Sequence, residues 1–151
     1  MKFVYELKHK RLVEIIKETG EKVNDTKLLG FFSTKEKCDE VIMYYLEQPG
    51  FKDFPDDFVI SEVEADLNDF NDIPGEFNNV VYYLTHEWYD GEYDIVSYLG
   101  YYSTNEKAEI AELQYRSDPD LKDHQDGFVI DAYQIDKMEW TEGFVFGDEE
   151  D

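Results

Sequence analysis

Tyr5, Leu7 and His9 alternate with Glu6 and Lys8, and Tyr82, Leu84 and His86 alternate in the same way farther along the chain. A period of two is that of a β-strand, so each run predicts a strand projecting its three named side chains from one face. Asp90-Gly91 then marks a hairpin turn, and residues 95 to 102, rich in types that favour a pleated backbone, predict the returning strand. The corresponding stretch in the first half, residues 10 to 25, is less legible. Leu12, Val13, Ile15 and Ile16 fit an extended hairpin or a short helix, and the hairpin is the expectation.

The period then changes. Cys38, Val41, Ile42, Tyr45 and Leu46 recur at helical spacing, as do Ala108, Ala111 and Tyr115, with Ile110 and Leu113 widening the second stripe. Ser33 with Glu36, and Ser103 with Glu106, have the spacing of a capping box at the head of each helix. Pro49 and Pro119 bound the helices at about four turns. Residues 58 to 65 and 128 to 135 read as one further strand each.

These parallels are an internal repeat. Gly30-Phe31-Phe32-Ser33-Thr34-Lys35-Glu36-Lys37 returns seventy residues later as Gly100-Tyr101-Tyr102-Ser103-Thr104-Asn105-Glu106-Lys107. At the same offset Pro49, Lys52, Asp53, Asp56 and Phe58-Val59-Ile60 meet Pro119, Lys122, Asp123, Asp126 and Phe128-Val129-Ile130. Upstream the offset is seventy-seven, so the first copy carries seven extra residues between its first two elements. Self-similarity in this collinear order indicates duplication. The expected fold is therefore α+β, two tandem β-β-α-β modules, each a helix on a small antiparallel sheet. The first module spans residues 1–70 and the second 81–151, with a connector at 71–80 that contains Pro74-Gly75. One copy of about seventy residues is marginal alone, so the two are expected to share a core across a pseudo-twofold interface as one compact unit.

Composition narrows the function. With 42% hydrophobic residues and twenty-three Tyr and Phe, the chain has the means to bury a core and is not a disordered acidic tail. Cys38 is the single cysteine, and Glu6 interrupts the N-terminal residues before any long apolar run, so the expected compartment is the cytoplasm. The formal charge of −23 is lopsided. Residues 1 to 50 carry nine Lys or Arg against nine Asp or Glu, whereas five basic residues face twenty-eight acidic ones after residue 50. Such a field repels nucleic acid and anionic lipid and attracts basic surfaces, although it also serves as a plain solubility coat.

Catalytic patterns are weak. His9 and His86 stand at equivalent repeat positions, as a paired proton-transfer or metal site would, but a histidine at the end of an apolar strand face is more often a hydrogen-bonded structural residue. No Cys or His spacing suits zinc. Asp118, Asp120, Asp123 and Asp126 are the densest carboxylates, yet they lack the alternate spacing, early glycine and closing glutamate of a calcium loop, so solvated turn residues are the expectation and no cofactor or metal is assigned. Pro55-Asp56 with Glu62 and Glu64 is a weak nuclease pattern, since Ala65 and Asp66 stand where a lysine is wanted. Phosphate-loop glycines and a nucleophile elbow are missing from the sequence. The strongest remaining feature is the hairpin tip Trp88, Tyr89, Asp90, Glu92, Tyr93 and Asp94, a mixture of large rings and carboxylates suited to a basic protein partner. Asp123 and Asp126, with Trp140 and Glu142 near the acidic end, extend the candidate surface, the alternative being an ordinary hairpin and a last strand.

His86, then Gly100 to Ala108, then Asp126-Gly127-Phe128-Val129-Ile130-Asp131 and Trp140-Thr141-Glu142-Gly143-Phe144 resemble a family of small acidic bacterial domains of unknown function, here in two tandem copies. The resemblance covers nearly all of the second copy. The first departs from it with Asp56-Asp57 in place of Asp-Gly and Phe70 in place of the Trp. It implies no activity, though size and acidity are similar to those of immunity proteins that accompany toxins. The expectation is a non-enzymatic inhibitor or immunity-type protein, monomer or weak homodimer, that covers a basic partner such as a toxin or nucleic-acid-binding protein. The alternatives are a small-molecule or divalent-metal sensor using a cleft between the copies with His9 and His86, and an unrecognised hydrolase.

Overall fold

The duplication in sequence is a duplication of backbone. A computed structural model describes residues 1–20, 22–141 and 143. Its elements run β1 (Phe3–Ile15), β2 (Lys22–Phe32), α1 (Lys35–Tyr45), β3 (Phe58–Glu64), β4 (Val80–Tyr89), β5 (Asp94–Tyr102), α2 (Asn105–Tyr115) and β6 (Phe128–Gln134), with single 3₁₀ turns at Phe51–Asp53 and Gln125–Gly127. The class is α+β, with one helix and a three-stranded sheet per repeat. The sheets are ordered β2-β1-β3 and β5-β4-β6. Residues 10 to 25 are a hairpin, β1 pairing with β2 from Tyr5 opposite Phe32 to Ile15 opposite Lys22.

The opening strand of each repeat lies in the middle of its sheet, with buried side chains on both of its faces. Leu7 and Leu84 are buried on the helix side with His9 and His86, while Val4, Val81 and Tyr83, of opposite parity, are buried as well. Tyr83 stacks on Tyr101 with ring centroids 4.6 Å apart. Leu7, Leu29, Phe32, Cys38, Tyr45 and Phe51 form one core, and Leu84, Leu99, Tyr102, Ala108, Ala111 and Tyr115 anchor the other.

Gly30 and Gly100 open the repeated motif for a reason that the backbone makes plain. Pairing jumps from Leu7 opposite Gly30 to Lys8 opposite Leu28, and from Leu84 opposite Gly100 to Thr85 opposite Tyr98, leaving Leu29 and Leu99 as the extra residues of matching β-bulges. The glycines adopt φ of 147° and 129°. A Cβ at Gly100 would also stand 2.8 Å from the Tyr102 hydroxyl, so conformation and space both demand glycine.

The helices begin one residue later than the capping-box spacing implies. Thr34 and Thr104 are the N-caps, their hydroxyls accepting from the backbone N–H of Lys37 and Lys107 at 3.2 Å. Ser33 and Ser103 are engaged elsewhere, as described below. Both helices end at a tyrosine, four residues before the proline, and so span 11 residues, or about three turns. Ile110 and Leu113 do not widen the buried stripe. At about 100° per residue they fall opposite Ala108, Ala111 and Tyr115, and both are exposed.

Contacts divide the chain into two compact units, and the division does not respect the order of the repeats. The first-repeat unit is Tyr5–Glu62 with the segment from Asp136, and the second-repeat unit is Val63–Ile135 with Met1–Val4. Each unit is thus completed by the residues that follow the third strand of the other repeat, and the linear boundaries at residues 70 and 81 do not coincide with it. The equivalent Asp66 and Asp136 make the turn, both at left-handed φ, 71° and 68°. In the second-repeat unit the Asp66 carboxylate, almost fully buried, accepts from the N–H and Oγ of Ser103, both at 2.8 Å, and from Nζ of Lys107 at 3.1 Å. In the first-repeat unit Asp136 accepts from the N–H of Ser33 at 2.8 Å and Nζ of Lys37 at 2.9 Å. The connector is ordered: Gly75 N–H donates to Ala65 at 3.0 Å, and the Asn71 amide donates to the carbonyls of Asp66 and Ile73.

Candidate functional site

The chain from α2 to β6 is pinned by one side chain. Arg116, at the C-cap of α2, donates through Nη1 to the backbone and side-chain oxygens of Gln125 at 3.0 and 2.9 Å, and through Nε and Nη2 to Glu112. Its guanidinium also lies over Phe128, 4.9 Å from the ring centroid. The Gln125 amide returns bonds to the carbonyls of Arg116 and Lys122. His86, fully buried on β4, shares a 2.7 Å hydrogen bond through Nε2 with the His124 carbonyl. Gly127 lets β6 begin against β4, since a Cβ there would collide with the Glu87 carbonyl.

This anchoring lays the His124 ring flat on the Trp88 indole, centroids 4.0 Å apart at an interplanar angle of 9°. Beside the stacked pair is a cleft of about 310 Å³ lined by Glu87, Trp88, Asp123, His124, Gln125 and Asp126 together with Gly127. Asp123, Asp126 and Glu87 are exposed, so a preformed aromatic wall stands among three solvated carboxylates. That arrangement suits a cationic side chain laid along the indole with its charge held by the acids.

Of the residues singled out in the sequence, Trp88, Asp123 and Asp126 meet in this cleft, and the rest of the hairpin tip does not line it. Asp90 caps its own loop, Oδ1 accepting from the N–H of Tyr93 at 2.8 Å and of Glu92 at 2.9 Å, and these bonds hold its carboxyl below the usual range. Tyr89 is exposed with its hydroxyl on the Gly91 carbonyl, Glu92 is exposed, Tyr93 is half-buried and Asp94 opens β5 opposite Tyr89. Trp140 belongs to the first-repeat unit, where its ring meets Phe51 edge-on at 6.4 Å, Lys27 lies over it at 5.6 Å and its carbonyl accepts from the Tyr45 hydroxyl. Glu142, Phe144, Phe146 and Asp148 to Asp151 lie outside the described residues. Glu87, His124 and Gln125 were not evident from sequence, although His124 is the counterpart of Phe54, whose carbonyl engages His9 as that of His124 engages His86.

The remaining candidates read as structural. His9 is fully buried, edge-on to Phe51 and Phe58 at 4.9 Å, and shares a 3.0 Å hydrogen bond with the Phe54 carbonyl. Burial holds its pKa below the ordinary value, outweighing the carbonyl's opposite pull. Neither His9 nor His86 is accessible to solvent. Cys38 is buried and its thiol is pushed up to about 11 by that burial, a poor nucleophile. Asp118 caps a turn through the N–H of Asp120 at 2.8 Å. Among the described residues no group of three or more His, Cys, Asp or Glu side chains is placed to hold a metal ion, and no helix is long and apolar enough to cross a membrane. No family model, curated protein or solved structure matches the chain.

Proposed function

We propose that the chain is an acidic, cytoplasmic protein-binding module that neutralises a basic partner, in the manner of an immunity or inhibitor protein, and that it performs no catalysis of its own. The observation that carries this reading is the Trp88 cleft, with a stacked indole and imidazole beside Glu87, Asp123 and Asp126. A lysine or arginine of the partner enters the cleft, its aliphatic stem on the indole and its charge among the carboxylates. Because Trp88 is already held by His124, little side-chain freedom is lost on binding. The acidic excess after residue 50 speeds encounter and gives the association its salt dependence. Toxins and nucleic-acid-binding proteins are the partner class that this chemistry fits, because their own sites are cationic.

Affinity capture at low and at moderate salt tests the proposal, with Trp88→Ala and the pair Asp123→Asn/Asp126→Asn as controls. The expected result is a basic protein retained at low salt, released as salt rises, and lost with both variants. Recovery of neutral or acidic partners alone, or capture indifferent to these substitutions, would refute the reading.

A further inference from the structure

In the second-repeat unit, residues 66–75 and α2 border an open pocket of about 400 Å³ that shares no residue with the Trp88 cleft. Its walls are apolar, contributed by Phe70, Ile73, Pro74, Ile110 and Ala111, and its polar groups are the Asp66–Lys107 ion pair, Asn68, Tyr102 and Gln114. A volume of this order, mostly apolar with a few fixed polar groups, is that of a small-molecule site.

The repeat shows how the space arises. Seventy residues away, Ala111, Gln114, Asn68 and Phe70 correspond to Val41, Tyr44, Met138 and Trp140, each bulkier or more apolar. In the first-repeat unit those larger side chains are put to use. Val41 and Met138 pack on the apolar core, Tyr44 donates its hydroxyl to the Thr141 carbonyl at 2.6 Å, and Trp140 sits against Phe51. Four large-to-small differences thus converge on one pocket, which opens to solvent past Ile73 and Ile110. Polar substitution accompanies the loss of volume. Tyr102 replaces Phe32, and its hydroxyl accepts from the Asn68 amide at 2.9 Å while donating to the Leu99 carbonyl at 2.8 Å.

The polar groups also set the ligand's chemistry. The Asp66 carboxylate is occupied by Ser103 and Lys107, but the Lys107 ammonium, 54% exposed, gives one of its three N–H donors to Asp66 and has donors to spare. We propose that this cavity binds a small amphipathic carboxylate, its apolar body against Phe70, Ile73 and Ile110 and its head at the Lys107 ammonium and the Gln114 amide.

Titration of the ¹⁵N-labelled full chain with 4-phenylbutyrate tests this, with 4-phenylbutanol as the uncharged comparison. The expected result is saturable shifts confined to residues 66–75, Tyr102 and residues 107–114, and at least about tenfold weaker binding of the alcohol. Ala111→Val/Gln114→Tyr, which installs the first repeat's side chains, is expected to abolish the shifts while the spectrum stays dispersed. If that pair fails to fold, Ala111→Val alone decides by weakening the binding. Failure to saturate, shifts elsewhere, binding that survives the filling substitutions, or an alcohol that binds as well as the acid would each overturn the assignment.

Discussion

Replacing Asp66 by alanine should strongly destabilise the second-repeat unit. The carboxylate is almost fully buried and holds three donors, the Ser103 N–H, the Ser103 hydroxyl and the Lys107 ammonium. The half-buried Ser103 N–H deprived of its charged acceptor costs about 1.5 kcal/mol and the hydroxyl bond about 1 kcal/mol more. Lys107 is more than half exposed, so its ion pair is screened and adds only about 0.5 kcal/mol. The left-handed φ of 71° penalises alanine by a further ~1 kcal/mol, a penalty that asparagine largely escapes. Asp66→Ala should therefore lose about 4 kcal/mol, and Asp66→Asn, which keeps an acceptor for the Ser103 N–H, about 1 to 2 kcal/mol. Urea denaturation followed by tyrosine and tryptophan fluorescence measures both, and a cycle with Ser103→Ala should be strongly non-additive because the two residues share their bonds. Asparagine and alanine variants of equal stability, or an alanine variant within ~0.5 kcal/mol of the parent, would refute the reasoning.

Four further outcomes follow from the same geometry. Gly100→Ala should destabilise by about 2 kcal/mol or more, since φ is 129° and the Tyr102 ring occupies the space; a thermal melt unchanged from the parent would contradict this. His9, held below its ordinary 6.5 by burial, makes the unfolded chain the better proton acceptor between its folded value and 6.5. Stability should therefore decline as pH falls through that window, and His9→Gln should flatten the slope of the urea midpoint. Asp136 acts at lower pH. Burial pushes its carboxyl up, but the Ser33 N–H and Lys37 outweigh this and leave it below the ordinary 3.8, so its contribution is present above that value and is lost as pH falls through the lower, folded one; Asp136→Asn should remove this acid-side slope. Cys38, buried with its thiol at about 11, should resist a thiol-specific reagent in the native protein and react once denatured, and fast native labelling would show that this core opens.

Periodicity and punctuation alone were enough to reveal the duplicated module, because strands, helices and the turn at Asp90-Gly91 are encoded by neighbours two to four residues apart. The candidate site was only half legible. Trp88, Asp123 and Asp126 stood out by residue type, but their meeting beside His124 depends on Arg116 and Gln125, 28 and 37 residues beyond Trp88 in the chain, fixing the turn. Tertiary structure alone assigned Asp66 and Asp136 to the partner repeat's serine, and thereby moved the helix caps to Thr34 and Thr104. It also gave Trp140 a structural seat on Phe51. A carboxylate or an indole has no intrinsic role in the sequence, because its energy depends on which donors and surfaces the fold brings within about 3 to 4 Å, and those are set by chain crossings that no local pattern records.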